Sequence, residues 1–379
     1  MVLRYLVQFV ANQFAPALVG HTITTTTLAF VPSTAHNTRL AASAITIALC
    51  MESIRRNPRQ TYEEAGWADY MFGLAFHTNC YLVLLNLTPP ATLTHPLQKL
   101  HWGINALFSP RMGTKPYRPY PPTTTKRQFL LRRLTLLTLL TAFWLYIRTG
   151  EAFYPPNLNS TDWTPAHTYL LPQLLTGTLT LRHLWLRTTL AFYSHAGSAL
   201  VINGAHAFCS LVAVGIFNSP PASWPPLFGS LAQAYSLRRW YSHFWHQAMR
   251  RAFTIHAAAF TERVLGLRKA TAAGRAAIVL GAFFLSGCMH AVTGWRAGMC
   301  EGGVRPVGTF LGFAVFMLLE QGVQGLFFGL RGRLGVPWTR WEEGVWRAVG
   351  FAWVVYFMLE FMVWGSFWDL QCMERMYEV

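Results

Sequence analysis

The chain has 379 residues, of which 53% are hydrophobic and 12% charged, and its formal net charge is +16. Soluble domains carry about 25% charged residues, so this composition excludes an ordinary soluble domain and indicates a membrane protein. The basic residues cluster in short segments between apolar runs, as in the cytosolic loops of membrane proteins, which argues against a nucleic-acid-binding chain.

Taken in chain order, the apolar runs predict an all-α fold: a single integral-membrane domain, residues 1–379, with about eight transmembrane spans. A helix needs about 20 residues to cross the hydrocarbon core. The runs lie near residues 5–31, 38–52, 68–88, 128–147, 166–186, 192–217, 273–294, 303–329 and 345–367. Gly, Pro, His and Thr interrupt several runs, so we expect the helices to pack as a bundle.

Residues 231–251 follow a Pro-Pro turn and are predicted to form one interfacial amphipathic helix that begins after Ser230. At 100° per residue, one face about 60° wide would carry a cationic stripe with two imidazoles, made of Arg239, His243, His246 and Arg250. A solvated basic face would give the same pattern. The i, i+3 histidines also have metal-like spacing, but no nearby Cys or carboxylate completes a site, and we predict no metal.

His290 lies in the apolar run GAFFLSGCMHAVTGW, residues 281–295, with Ser286 and Gly287 one turn before it. Small residues at those positions allow a neighbouring helix or a ligand to approach closely. An ionisable group at membrane depth is costly and usually faces a cavity, where an uncharged imidazole can act as a general base. A satisfied core histidine is the alternative, because twelve other histidines occur in the chain and several share an apolar context.

Three stretches occur in this order: WPPLFGSLAQAYSLRRWYSHFWHQAMRR (224–251), SGCMH (286–290) and FMLLEQGVQG (316–325). Together they resemble the wax-synthase-like branch of the membrane-bound O-acyltransferase (MBOAT) superfamily, whose fungal members include acetyltransferases that modify secondary metabolites such as terpenoids. The resemblance covers residues 224–325. Many members have an acidic residue directly after the histidine, and Ala291 occupies that position here.

The resemblance implies an MBOAT-like bundle in the endoplasmic reticulum membrane and a reaction between acyl-CoA and a hydrophobic alcohol. His290 would be the catalytic base and His246 its partner, and no bound cofactor is needed because acyl-CoA is a co-substrate. A short polar loop at 149–165 and the absence of any feature that demands a long chain favour acetyl-CoA.

Six further residues are predicted to bind the two substrates. Arginine forks suit phosphate, so the basic residues near the histidines are candidates for coenzyme A binding. Arg238, Arg239, Arg250 and Arg251 lie where the phosphates would enter; we assign Arg238 and Arg251 to coenzyme binding, and Arg239, Arg250, Ser286 and Trp245 to substrate binding.

Two alternatives use the same apolar, helical framework. A membrane-embedded terpenoid cyclase would protonate its substrate with an intramembrane acid, either Glu320 or Glu360. A transporter would use His and Glu as a proton relay, although no inverted repeat is visible. Loss of activity in His290→Ala but not in Glu320→Gln would favour the acyltransferase.

Overall fold

The computed structural model describes residues 11, 15–56, 62–108, 124–147, 153, 155–157, 159, 162, 164–296, 304–335, 337 and 339–363. Within these residues all regular structure is helical, which confirms the predicted fold class. The helices of seven or more residues are α1 (Ala15–Phe30), α2 (His36–Arg56), α3 (Tyr62–Asn79), α4 (Pro96–Phe108), α5 (Lys126–Ile147), α6 (Leu170–Thr176), α7 (Leu181–Gly215), α8 (Arg250–Arg263), α9 (Ala272–Arg296), α10 (Val304–Arg333) and α11 (Arg340–Phe357). Single π-helical turns, Cys80–Leu84 and Met358–Met362, extend α3 and α11.

Five helices in the described part of the chain are long and apolar enough to cross a membrane. They are α5, α7, α9, residues Arg305–Arg333 of α10, and α11 with its π-helical turn to Phe361. The multi-span character is therefore confirmed, whereas the number of about eight spans is not. Of the predicted run at 5–31, residues 5–10 and 12–14 lie outside the described residues, and the helix described there, α1, has 16 residues. The run at 38–52 lies in α2, which carries charged side chains in its last two turns, at Glu52, Arg55 and Arg56.

The predicted spans at 166–186 and 192–217 have the wrong boundaries. Residues 192–215 belong to α7, a continuous helix of 35 residues that already begins at Leu181. The helical structure is interrupted earlier in the sequence, between Thr176, where α6 ends, and Leu181, where α7 begins. The Thr180 hydroxyl caps α7 by accepting the His183 N–H at 3.2 Å. Residues 166–186 are thus divided between a short helix and the first turns of a long one.

Residue contacts divide the chain into two compact units. The first comprises Met1–Thr114 and Ala248–Leu318, and its described helices are α1–α4, α8, α9 and the first half of α10. Its core is apolar and includes Leu28, Met71, Leu74 and Leu82. The helices α3 and α8 both pack against α9.

The second unit comprises Lys115–Gln247 and Leu319–Val379 and is built on the pairing of α5 with α7. Among its described residues, two small apolar clusters form, one around Leu186 and Val363 and the other around Phe129 and Trp224.

Three buried arginines lie inside helices and donate hydrogen bonds to backbone carbonyls. In the first unit, Arg39 on α2 donates to the carbonyls of Val31, Leu82 and Leu87 at 2.6–3.1 Å. In the second unit, Arg133 donates to Trp224 O at 2.7 Å, and Arg187 donates to the carbonyls of His167 and Leu359. A buried guanidinium needs such partners, because an uncompensated charge away from water is costly.

Candidate active site

The segment that carries His246 is not the continuous helix predicted for residues 231–251. The structure has a 3₁₀ turn at Leu231–Gln233, one helical turn at Leu237–Arg239 and a π-helical turn at Trp240–Phe244. Trp245 is extended, and α8 begins only at Arg250. Ser230 precedes the 3₁₀ turn without a side-chain capping bond, and the helical turn is instead capped by Ser236, whose hydroxyl accepts the Arg239 N–H at 3.1 Å.

Hydrogen bonds that do not belong to an α-helix explain why residues 231–251 do not form one continuous helix. The Gly229 N–H donates to Phe244 O at 2.8 Å, and the Gln247 side-chain amide donates to Tyr241 O and Trp245 O at 3.1 and 2.6 Å. These carbonyls therefore have partners outside an α-helix. A Cβ at position 229 would lie 1.8 Å from His243 O, so only glycine permits this close approach. The predicted single cationic stripe of Arg239, His243, His246 and Arg250 is therefore wrong.

Aromatic rings surround Trp245 and His246 in the second unit. The Trp245 ring stacks nearly parallel to Trp240, at 6.0 Å between centroids, and stands edge-on to His195 and Phe228. His246 is half-buried and contacts the Trp245 and Phe228 rings at 5.4 and 5.8 Å. An aromatic setting of this kind holds a large side chain in one orientation and offers an apolar surface to a ligand.

The two arginines of the helical turn differ in their surroundings. Arg239 folds back on its own segment, donating to the backbone and side-chain oxygens of Gln233, and its guanidinium lies 4.4 Å from the centroid of the Tyr235 ring. The Arg238 side chain is exposed. Of these two arginines, both predicted to bind substrates, only Arg238 has an exposed side chain.

Glu320 and Glu360 each accept backbone N–H groups at the start of a helix. In the second unit, the Glu320 carboxylate accepts from Leu237 and Arg238 at 3.0 and 3.2 Å. The buried Glu360 accepts from Leu170, the first residue of α6, at 2.6 Å. A carboxylate at a helix N-terminus satisfies unpaired donors and complements the helix dipole.

His290 lies on α9 in the first unit, one turn after the half-buried Ser286. Its ring stacks on Phe310 of α10, with centroids 4.8 Å apart and planes 18° from parallel. Gly287 makes this stacking possible, because a Cβ there would lie only 2.7 Å from the Val307 Cα. The predicted close approach of a neighbouring helix at this small residue is therefore confirmed.

Asp69 on α3 lies beside the His290 ring. His290 Nδ1 and Asp69 Oδ2 are 3.7 Å apart, and the Thr293 hydroxyl donates a hydrogen bond to Asp69 Oδ1. The side chains of His290 and Asp69 remain 38% and 31% exposed. This geometry leaves Nε2 as the ring nitrogen directed away from the carboxylate.

The segment that contains both histidines is similar to a known protein family. Residues 224–315 match the model of the membrane bound O-acyl transferase family. Over these residues the chain is similar to that family, and residues 224–315 are called the acyltransferase segment below. The resemblance predicted from the sequence is thereby confirmed, and the acyltransferase segment includes His246, Trp245, Ser286, His290 and the two arginine pairs of the substrate prediction.

Three fungal relatives are named acetyltransferases. The chain is 30% identical to acetyltransferase atnC of Arthrinium sp over 293 residues, which are 74% of this chain and 64% of the relative. It is 35% identical to acetyltransferase ataH of Aspergillus terreus over 149 residues, 39% of this chain and 47% of the relative. It is 27% identical to acetyltransferase aurG of Calcarisporium arbuscula over 274 residues, 69% of this chain and 63% of the relative. The chain thus spans less than two thirds of the length of each, and no solved structure matches it.

The predicted site residues fall in both units. Arg238, Arg239, Trp245 and His246 belong to the second unit, whereas Arg250, Arg251, Ser286 and His290 belong to the first. Arg250 is exposed at the start of α8, and Arg251 beside it is half-buried near Cys80 and Tyr81. The roles assigned to all eight residues remain predictions.

Sequence reasoning missed Asp69. This residue lies outside the acyltransferase segment, about 220 positions before His290, so no motif joins the two. One signal was present: Asp69 is the acidic residue of the predicted span at 68–88, and acids in membrane spans are candidates for function.

Proposed function

We propose that the protein is an integral-membrane O-acyltransferase of the endoplasmic reticulum that transfers an acetyl group from acetyl-CoA to a hydroxyl of a hydrophobic acceptor, such as a terpenoid-type secondary metabolite. One observation carries the proposal: His290 lies on an apolar span inside the acyltransferase segment, partly exposed, with a carboxylate beside one ring nitrogen. The names of the fungal relatives support acetyl as the transferred group.

His290 would act as the general base. Because Nδ1 faces Asp69, Nε2 is the nitrogen that would take the proton of the acceptor hydroxyl as its oxygen attacks the thioester carbonyl carbon. A carbon–oxygen bond forms, the carbon–sulfur bond breaks, and the proton passes from the imidazolium to the sulfur of coenzyme A. No acyl-enzyme is required, since the thioester is already activated.

His246 would donate an N–H to the oxyanion that develops on the thioester oxygen. Removing one such donor typically lowers the rate by about 10²–10³-fold. The aromatic rings around Trp245 would keep water away from this donor, which strengthens its electrostatic effect. The exposed Arg238 and the half-buried Arg251 would bind the phosphates of coenzyme A from the cytosol.

The cyclase alternative has less support. A catalytic acid must present a proton to the substrate, yet the carboxylates of Glu320 and Glu360 are directed at the backbone N–H groups of other segments. Both carboxylates are thus occupied as hydrogen-bond acceptors within the second unit. No observation favours a transporter.

The test is a transfer assay in membranes. Microsomes from yeast that express the full chain are incubated with [1-¹⁴C]acetyl-CoA and an extract of hydrophobic alcohols, and base-labile label is counted in the organic phase. The wild type should form labelled ester. His290→Ala should lower the rate by about 10²–10⁴-fold, the usual contribution of general base catalysis. Empty-vector membranes provide the background, and the absence of labelled ester from correctly folded wild-type protein would refute the proposal.

A further inference from the structure

We infer that Asp69 is a positioning residue for His290 and that Thr293 in turn holds Asp69 in place. The inference rests on the proposed acyl transfer. It assigns a task to a carboxylate that the acyltransferase segment does not contain, and it explains how the ring of His290 is oriented although Ala291 follows it in the chain.

The contacts come from two helices that pack against each other, α3 and α9. Asp69 on α3 directs Oδ2 toward His290 Nδ1, at 3.7 Å. Its other oxygen, Oδ1, accepts the hydrogen bond of the Thr293 hydroxyl, and Thr293 lies on α9 three residues after His290. One carboxylate is thus shared by two side chains on the same face of α9, and its position is fixed relative to the histidine.

Several other titratable side chains described on the neighbouring helices have partners of their own. Tyr70 hydrogen-bonds His21, and His77 Nδ1 lies 2.8 Å from Gly73 O. His256 Nε2 lies 2.9 Å from Asn79 Oδ1, and burial lowers the pKa of His256, which keeps that imidazole uncharged. Among the described residues, Asp69 is therefore the carboxylate paired with His290.

The pairing suits a base that gains a proton during the reaction. A carboxylate at Nδ1 favours the tautomer with hydrogen on Nδ1, so the lone pair on Nε2 points away from Asp69 toward the reacting hydroxyl. When Nε2 takes the proton, the ring becomes positive and the nearby negative charge stabilises it. A separation of 3.7 Å allows the two groups to close to hydrogen-bonding distance as substrates bind, since such contacts are often long in a free enzyme.

Substitutions at Asp69 and Thr293 test the catalytic consequence. With the acceptor found in the membrane assay, Asp69→Asn should lower kcat by about 10²-fold and leave KM for acetyl-CoA within about threefold, because the loss concerns only the charged transition state. Asp69→Glu should recover part of that loss. Thr293→Val, which leaves the carboxylate in place but unanchored, should lower kcat by about tenfold. Glu52→Gln is the matched control, since Glu52 in the same unit pairs with Arg55 and Arg56 and should leave kcat unchanged.

A second measurement tests the pairing without substrate. The melting temperatures of the wild type, Asp69→Asn, His290→Asn and the double variant form a thermodynamic cycle. The two single changes should be non-additive by about 2 °C, because residues in contact couple and distant ones do not.

The outcomes separate the inference from the proposed function. Additive melting temperatures would overturn the pairing. Non-additive temperatures with an unchanged kcat in Asp69→Asn would overturn the positioning role, while loss of transfer in His290→Ala would still support the acyltransferase. Failure of the wild type to transfer acetyl to any alcohol would overturn the proposed function and, with it, the role given to Asp69.

Discussion

Gly287→Ala is the substitution for which the structure predicts the sharpest effect. The added methyl group would lie 2.7 Å from the Cα of Val307, 3.2 Å from the carbonyl oxygen of Pro306 and 3.3 Å from the Cβ of Phe310. Carbon atoms in contact are normally 3.5–4.0 Å apart, so α10 must move away from α9 by about 1 Å. Backbone atoms cannot rotate aside as a flexible side chain would.

The displacement acts on stability and on activity to different degrees. Inserting a methyl group into a tightly packed contact costs about 1–3 kcal/mol. The same movement carries Phe310 away from the His290 ring, on which it stacks at 4.8 Å. Because a misplacement of about 1 Å can lower a rate by about 10²-fold, we expect acetyl transfer to fall by about that factor while the protein still folds.

The assay compares acetyl transfer and melting temperature in the same membrane preparation. Gly308→Ala and Gly312→Ala are matched controls, because they lie on α10 and a Cβ at either position meets no heavy atom within 4 Å. Both should keep full activity and melt at or slightly above the wild-type temperature, since alanine favours a helix over glycine. Wild-type activity and stability in Gly287→Ala would refute the close packing described for α9 and α10.

Three other predictions concern the second unit. Glu320→Gln should keep more than about a tenth of the transfer activity but melt a few degrees lower. The reason is that an amide is a weaker acceptor for two backbone N–H groups than a carboxylate. Loss of all activity at an unchanged melting temperature would contradict this prediction. Arg133→Met should destabilise the protein by about 1–3 kcal/mol, because the Trp224 carbonyl loses the hydrogen bond that Arg133 donates. The control Arg132→Met, at an exposed position, should not be destabilising. Equal melting temperatures for the two variants would contradict a stabilising role for the Arg133–Trp224 hydrogen bond. The guanidinium of Arg182, by its hydrogen bonds to Asp162, lowers the pKa of that carboxyl below its usual range. The pair therefore stabilises the fold above the ordinary pKa of 3.8, and this contribution is lost as pH falls through the lower pKa of the folded state. Thermal melts should show Asp162→Asn less stable than the wild type at pH 6 and the difference disappearing in acid, and a difference that persists at the lowest pH would exclude this cause.

The sequence predicted the features that depend on local pattern. Composition and long apolar runs identified the helical membrane class, since a helix of about 20 apolar residues is long enough to cross the hydrocarbon core and satisfies its own backbone hydrogen bonds there. The position of His290 within one run, and the small Gly287 beside it, were also readable from the sequence and agree with the structure.

The errors arose where contacts outside the regular helical hydrogen-bond pattern determine the structure. Amphipathic periodicity favoured one helix at 231–251, yet the Gly229 N–H and the Gln247 side chain bind carbonyls of that segment and allow it to turn. Asp69 was overlooked for the same reason, because its partners lie more than 200 residues away along the chain. Glu320 and Glu360 were candidate acids of the cyclase alternative, and the backbone N–H groups that donate to them lie more than 80 residues away in the sequence.

The buried arginines affect how the orientation of this chain in the bilayer should be read from its charges. The statistical bias of Lys and Arg toward the cytosol applies to side chains in loops that water reaches. Arg39, Arg133 and Arg187 are fully or almost fully enclosed and donate their hydrogen bonds to carbonyl oxygens, so they carry no information about which end of a helix faces the cytosol. A topology map for this protein should leave these three out of the count and weigh only the basic residues that remain in contact with solvent.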